Sequence, residues 1–124
     1  MKKFLLFLAI FITISSFITV SCSEVVKALK SGDATQVSQF FDNTIEITMP
    51  GKSSSYSKSQ GEMVLRDFFA SNQVKDFEVL HKSENAGSQF CIGNLKTNNG
   101  TFRTTIFMKQ KGDKDLLQEL RFEN

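Results

Sequence analysis

Few side chains in this sequence could carry chemistry. His81 is the only histidine, and Cys22 and Cys91 are the only cysteines. A Ser-His-acid hydrolase places its serine on a tight strand-to-helix turn, and no Gly-x-Ser-x-Gly run is present to build one. Zinc takes about four Cys, His or acid ligands, whereas one histidine and one strand cysteine leave only scattered carboxylates. No glycine-rich phosphate loop occurs. Asp76 with Glu78, and Glu119 with Glu123, are spaced as solvent-facing strand residues; an acid and base pair needs burial to split its pKa values. The residue types therefore point away from catalysis and from any cofactor, towards a binding or interaction module.

Two single residues could line a small apolar-ligand pocket. His81 shares a strand face with Phe77 and Val79 in a simple alternation, and Tyr56 is the only tyrosine, placed just before a helix start. With Phe68 and Phe102 they form the candidate pocket set. The alternatives are structural: a partly buried histidine bonded to a loop carbonyl, and a tyrosine that staples the helix entry.

The elements that must position these residues follow from periodicity. Val25, Val26 and Leu29 are helically spaced over Glu24 to Ser31, and Gly32 suits the helix end. Asp33-Ala34-Thr35-Gln36 has the form of a capping box and opens a second helix burying Val37, Phe40 and Phe41, closed by Asp42-Asn43. Thr44 to Met49 alternates as a strand, Pro50-Gly51 stops it, and Lys52 to Ser55 reads as a polar loop. Ser57-Lys58-Ser59-Gln60 is a second capping box. It starts a helix to Ser71 whose Val64, Leu65, Phe68 and Phe69 form one stripe. Four strands follow, Val74 to Lys82, Gln89 to Thr97, Thr101 to Gln110 and Asp115 to Glu123. The expected fold class is α+β: helix-helix-strand-helix, then four antiparallel strands whose apolar face is the bed for the helices.

Turn length decides which strand residues share the core. Reading Asn98-Asn99-Gly100 as a three-residue loop aligns Phe90 and Ile92 with Ile106 and Met108, and pairs Met108 with Leu116, Thr104 with Leu120 and Phe102 with Phe122. The outer face then carries Cys91, Leu95, Phe107 and Leu117, with Arg103, Glu119 and Arg121 near its centre. Arg103, Phe107, Leu117, Glu119 and Arg121 are the candidate interface for a second copy or an envelope protein. A solvated ion-pair ladder is the alternative.

The N-terminus reads as an export signal over residues 1–22, with Lys2 and Lys3 followed by the apolar run Phe4 to Ile12, and a single domain over 23–124. Ser21-Cys22 resembles the end of a lipoprotein signal, making Cys22 the lipidation candidate, although Thr19 stands where such signals have leucine. Ordinary cleavage in Ser21-Cys22-Ser23 and an uncleaved anchor are the alternatives. Export predicts a periplasmic or lipid-anchored location, with membrane contact only through that anchor or signal. A Cys22 to Cys91 disulfide is formally open in an oxidising compartment, against which stands the place of Cys22 at the processed terminus; Cys91 reads as a small buried hydrophobe. The chain of 124 residues allows one small domain. Without Lys2 and Lys3, 13 basic residues equal 13 acidic ones, which argues against nucleic acid as a partner.

The element order, with Tyr56-Ser57-Lys58-Ser59-Gln60, Asp67-Phe68-Phe69, Leu80-His81-Lys82, Thr97-Asn98-Asn99-Gly100 with Arg103, and Gln118-Glu119-Leu120-Arg121, resembles the domain of unknown function 4783 family. These are small exported bacterial proteins of the nuclear transport factor 2-like superfamily, which shares its cone with ketosteroid isomerases. The resemblance covers Glu24 to Glu123 and implies a bent sheet around the third helix with room for a pocket. It implies no activity. Isomerases of this fold use a buried acid with tyrosine and acid donors on the sheet, and the expected strands here contain no tyrosine.

Overall fold

The computed structural model describes residues 21–124, so the expected export signal lies outside the described residues except for Ser21 and Cys22. Helix α1, Cys22–Ser31, buries Val25, Ala28 and Leu29 and stops at Gly32, whose φ of 67° lets its N–H reach the Leu29 carbonyl. Helix α2, Ala34–Ser38, is capped by the Asp33 carboxylate, which accepts from the N–H groups of Thr35 and Gln36. It is shorter than the sequence predicts. Phe40 and Phe41 fall outside it, and Phe41 begins strand β1, Phe41–Met49, because Phe41 pairs with Leu117 and the Leu117 N–H donates to the Phe40 carbonyl at 2.7 Å. Sheet pairing here overrides a local helical pattern.

Strand β2, Lys52–Ser57, replaces the expected polar loop. It is an edge strand pairing antiparallel with β1 from Met49 with Lys52 to Thr44 with Ser57. Its Ser-rich sequence has no apolar alternation, so backbone pairing rather than burial makes it a strand. Helix α3, Lys58–Ser71, matches expectation: Ser57 and Gln60 complete the capping box, and Gly61, Leu65 and Phe69 are buried.

Strands β3 (Val74–Asn85), β4 (Ser88–Thr97), β5 (Gly100–Lys111) and β6 (Lys114–Glu123) complete a six-stranded sheet in the order β2-β1-β6-β5-β4-β3. The β1 and β6 strands run parallel and every other neighbouring pair is antiparallel. The sheet is therefore mixed.

The register differs from expectation in three places. Thr97 pairs with Gly100, so Asn98-Asn99 is a two-residue turn that sets Cys91 beside Ile106 and Leu95 beside Phe102. Both asparagines are used by the end of α3: the Gln73 N–H donates to the Asn98 side-chain oxygen at 2.9 Å, and Asn99 Nδ2 donates to the Ser71 carbonyl. In the β5 and β6 pair, Ile106 meets Leu120, and a bulge beside Phe107 and Met108 brings Leu117, rather than Leu116, opposite Met108. A bulge between Val79 and His81 in β3 turns His81 towards Ile92 and away from the face of Phe77.

The core face consequently holds Cys91, Leu95, Phe102, Ile106, Met108, Leu117, Leu120 and Phe122, all buried. Three of these, Cys91, Leu95 and Leu117, reverse the outward placement expected from sequence. Gly93 lies where β3 crosses closely, since a Cβ there would collide with the Glu78 carbonyl and the Phe77 ring.

Candidate functional site

The outer side of the sheet presents two rows that run across strands. One joins Glu46, Glu119, Phe107, Phe90 and Ser83; the next joins Thr48, Arg121, Thr105, Ile92 and His81. Arg103 lies between Asn94 and Glu123 in the following row. Phe90, Ile92 and Phe107 thus form an aromatic and aliphatic patch, each half-buried, flanked by charge on β6 and β5. An open hollow of about 630 Å³ borders Phe107 and reaches Ser88, Lys109 and Gln118.

Arg121 contacts Glu119 at 3.1 Å and Glu123 at 3.7 Å, so an ion-pair ladder exists along β6. In water such pairs contribute about 0 to 1 kcal/mol. Of the five residues expected at an interface, Arg103, Phe107, Glu119 and Arg121 share the outer face. Leu117 does not: the β6 bulge turns it into the core, where it is fully buried. Phe90 and Ile92 belong to the patch, whereas the three-residue loop expected at Asn98-Asn99-Gly100 places them in the core. Only the turn length could have revealed them, because the two-residue reading is the one that sets Phe90 beside Phe107.

The four candidate pocket residues do not line one cavity. Phe68 and Phe102 meet inside the cone at a ring separation of 5.2 Å, with Phe68 stacked on Phe122 at 4.7 Å and tilted against Phe69 at 6.0 Å. These rings pack between α3 and the sheet. Tyr56 lies in β2 at one sheet edge and His81 in β3 at the opposite edge, where it is exposed on the outer side. Tyr56 is thus on a strand after all. It lines a shallow hollow of about 500 Å³ with Gln60, Met63, Val64 and Asp67, and Met63 is 61% exposed there.

Asp42 is the one buried carboxylate among the described residues. Its hydrogen bond from Lys111 holds the carboxyl below its ordinary range, burial opposes that shift, and the Asn43 N–H and Gln118 amide add to it. Such a group is a weak base, the opposite of the raised carboxyl that isomerase-like chemistry requires. Cys22 opens α1 with its side chain buried and its N–H donating to Gln89 Oε1 at 2.9 Å. Among the described residues, no group of three or more His, Cys, Asp or Glu could hold a metal ion, and no helix is long and apolar enough to cross a membrane.

Comparison with known proteins fits this architecture. Residues 22–123 match the family profile described as Domain of unknown function (DUF4783). A DUF4783 family structure from Bacteroides ovatus is 28% identical with a TM-score of 0.79, covering 82% of this chain and 93% of its own. Another, from Bacteroides fragilis, is 30% identical with a TM-score of 0.76, covering 82% and 95%. An NTF2-like protein of unknown function from Cytophaga hutchinsonii is 10% identical with a TM-score of 0.58, covering 82% and 83%, a likeness of fold alone. No curated protein matches.

Proposed function

The chain belongs to the DUF4783 family with its NTF2-like fold, and from that premise we propose that it is an exported, non-catalytic interaction module whose outer sheet face docks a second copy of the chain. The supporting observation is the patch of Phe90, Ile92 and Phe107 on the side of the sheet opposite Ile106 and Leu120. Apolar groups gathered on one face lose contact with water when that face is covered. The charges beside them are mixed: Glu119, Arg121 and Glu123 alternate along β6, and Arg103 on β5 stands opposite Glu123. Because the face carries both signs, a two-fold arrangement can set arginines of each copy against glutamates of the other.

Sedimentation equilibrium of the purified protein tests this reading. A concentration-dependent dimer that Phe107→Glu and Arg121→Glu each convert to a folded monomer is the expected result. A wild-type monomer at every concentration would end it.

The hollow at Tyr56 and Met63 favours a second reading, in which a small apolar ligand rests against the start of α3. Native mass spectrometry of protein taken gently from its own cells decides that case. A bound small molecule lost in Tyr56→Ala supports it, and an empty wild-type protein removes it.

A further inference from the structure

Cys22 and Cys91 are neighbours across the α1 and β4 contact. Both are free thiols, 5% and 0% exposed, and their side chains hydrogen-bond to each other. That bond favours the proton on Cys22 and so eases ionisation of Cys91, although burial raises both thiols. Lys82 stands opposite Cys91 in the β3 and β4 ladder, and its ammonium donates to Ser23 Oγ at 2.9 Å, holding a positive charge beside the two sulfurs. Mutual contact supplies the proximity that a disulfide needs, and the nearby cation favours the thiolate that forms it, against the opposing effect of burial.

We propose that Cys22 and Cys91 form an intramolecular disulfide that ties the first turn of α1 to the centre of β4. This rests on the export reading, because a reducing cytoplasm keeps such thiols apart. The oxidant is a disulfide, carried by a protein or by glutathione. The Cys91 thiolate attacks one sulfur of that disulfide and expels the other as a thiolate. Cys22, deprotonated, then attacks the Cys91 sulfur of the mixed disulfide and releases the second thiolate. In sum one S–S bond is formed and one broken, and two electrons and two protons end on the oxidant as two thiols. Because both sulfurs are covered when α1 is docked, the exchange proceeds while its first turn is undocked. The same assignment excludes a diacylglyceryl thioether on Cys22, since one sulfur carries one partner.

The experiment is maleimide labelling in denaturant, without reductant, of the protein isolated from its own envelope, followed by peptide mass mapping. The expected result is loss of labelling at both cysteines, recovery of both after reduction, and a linked peptide pair two hydrogens lighter than its parts. Cys22→Ser should restore labelling of Cys91, and Cys91→Ser labelling of Cys22. Exported protein that labels at both cysteines without reduction, or that carries diacylglycerol on Cys22, would overturn the pairing. Recovery only from the cytoplasm would defeat the export reading, and oxidised glutathione added to the purified full chain then decides the geometry. A linked monomer supports the pairing, whereas stable glutathione adducts on both cysteines overturn it.

Discussion

The Lys111 ammonium lies 2.6 Å from the buried Asp42 carboxylate and so ties the turn between β5 and β6 to the beginning of β1. The same carboxylate accepts from Gln118, the residue at the β6 bulge. This contact therefore pins the place where the β6 register changes and Leu117 turns inward.

Acid should loosen that pin in a defined window. The Asp42 carboxyl is held below its ordinary range in the folded protein, first by the hydrogen bond from Lys111. The unfolded chain thus takes up the proton at higher pH than the folded one, near the usual value of about 4. The contribution is fully present above that value and is lost as pH falls through the lower folded value. In urea unfolding, Asp42→Asn should cost about 1 kcal/mol near neutral pH, because half-exposed Lys111 is screened by water. The gap between variant and wild type should close in acid; a gap that stays constant with pH would refute this assignment.

Gly93→Ala should destabilise the sheet. A Cβ there meets the Glu78 carbonyl and the Phe77 ring, and the carbonyl belongs to a paired strand that cannot easily move. Overpacking costs about 1 to 3 kcal/mol, against at most about 1 kcal/mol gained from a stiffer unfolded chain. The urea midpoint should fall, and an unchanged midpoint would show that β3 yields freely. Adding Phe77→Leu should recover only part of the loss.

Phe68→Ala tests whether the cone is filled by rings. Phe68 stacks on Phe122 and meets Phe102 edge-on, so its removal leaves apolar space between α3 and the sheet. A loss of about 3 kcal/mol is expected, at the lower end for phenylalanine because the ring is only partly buried. Benzene should then raise the melting temperature of the variant and leave the wild type unchanged, as an apolar ligand does when it enters an apolar cavity. Equal response of both proteins would mean that the native cone already has room.

These contacts mark how far sequence could be read. Helix α3 was legible because its capping box and its Leu65 and Phe69 stripe are local signals, and both appear as predicted. Strand β2 was hidden because Lys-Ser-Ser-Ser-Tyr-Ser carries no apolar period, and its pairing with β1 is a tertiary fact. The outer face was misassigned in part for one reason. A register shift of one residue at Asn98-Asn99 exchanges Phe90 and Ile92 with Cys91 and Leu95, and the bonds from those asparagines to the end of α3 select the turn. The bulges beside Leu117 and His81 are single-residue insertions in a ladder, and no local pattern announces them. The Arg103, Glu119 and Arg121 group was found because its residues lie on one side of either turn length's common strand pair.

Closing the Cys22 and Cys91 bond should change both the size and the pH dependence of stability. The bond closes a long loop of the unfolded chain, for which chain entropy gives about 4 kcal/mol, less any strain the native geometry stores. Burial first, and contact with Cys91 next, push the Cys22 thiol up to about 12 from an ordinary value of 9.0. Cys91 is also raised by burial. In the reduced protein the unfolded thiols therefore lose their protons at a pH where the folded ones keep them. Stability from this source is complete below the ordinary value and declines as pH rises towards the folded one. The oxidised protein has no thiols to titrate. Urea midpoints of the two forms should therefore separate further as pH is raised from about 8 to about 10, and midpoints that remain parallel would show that the thiols are not buried in the reduced fold.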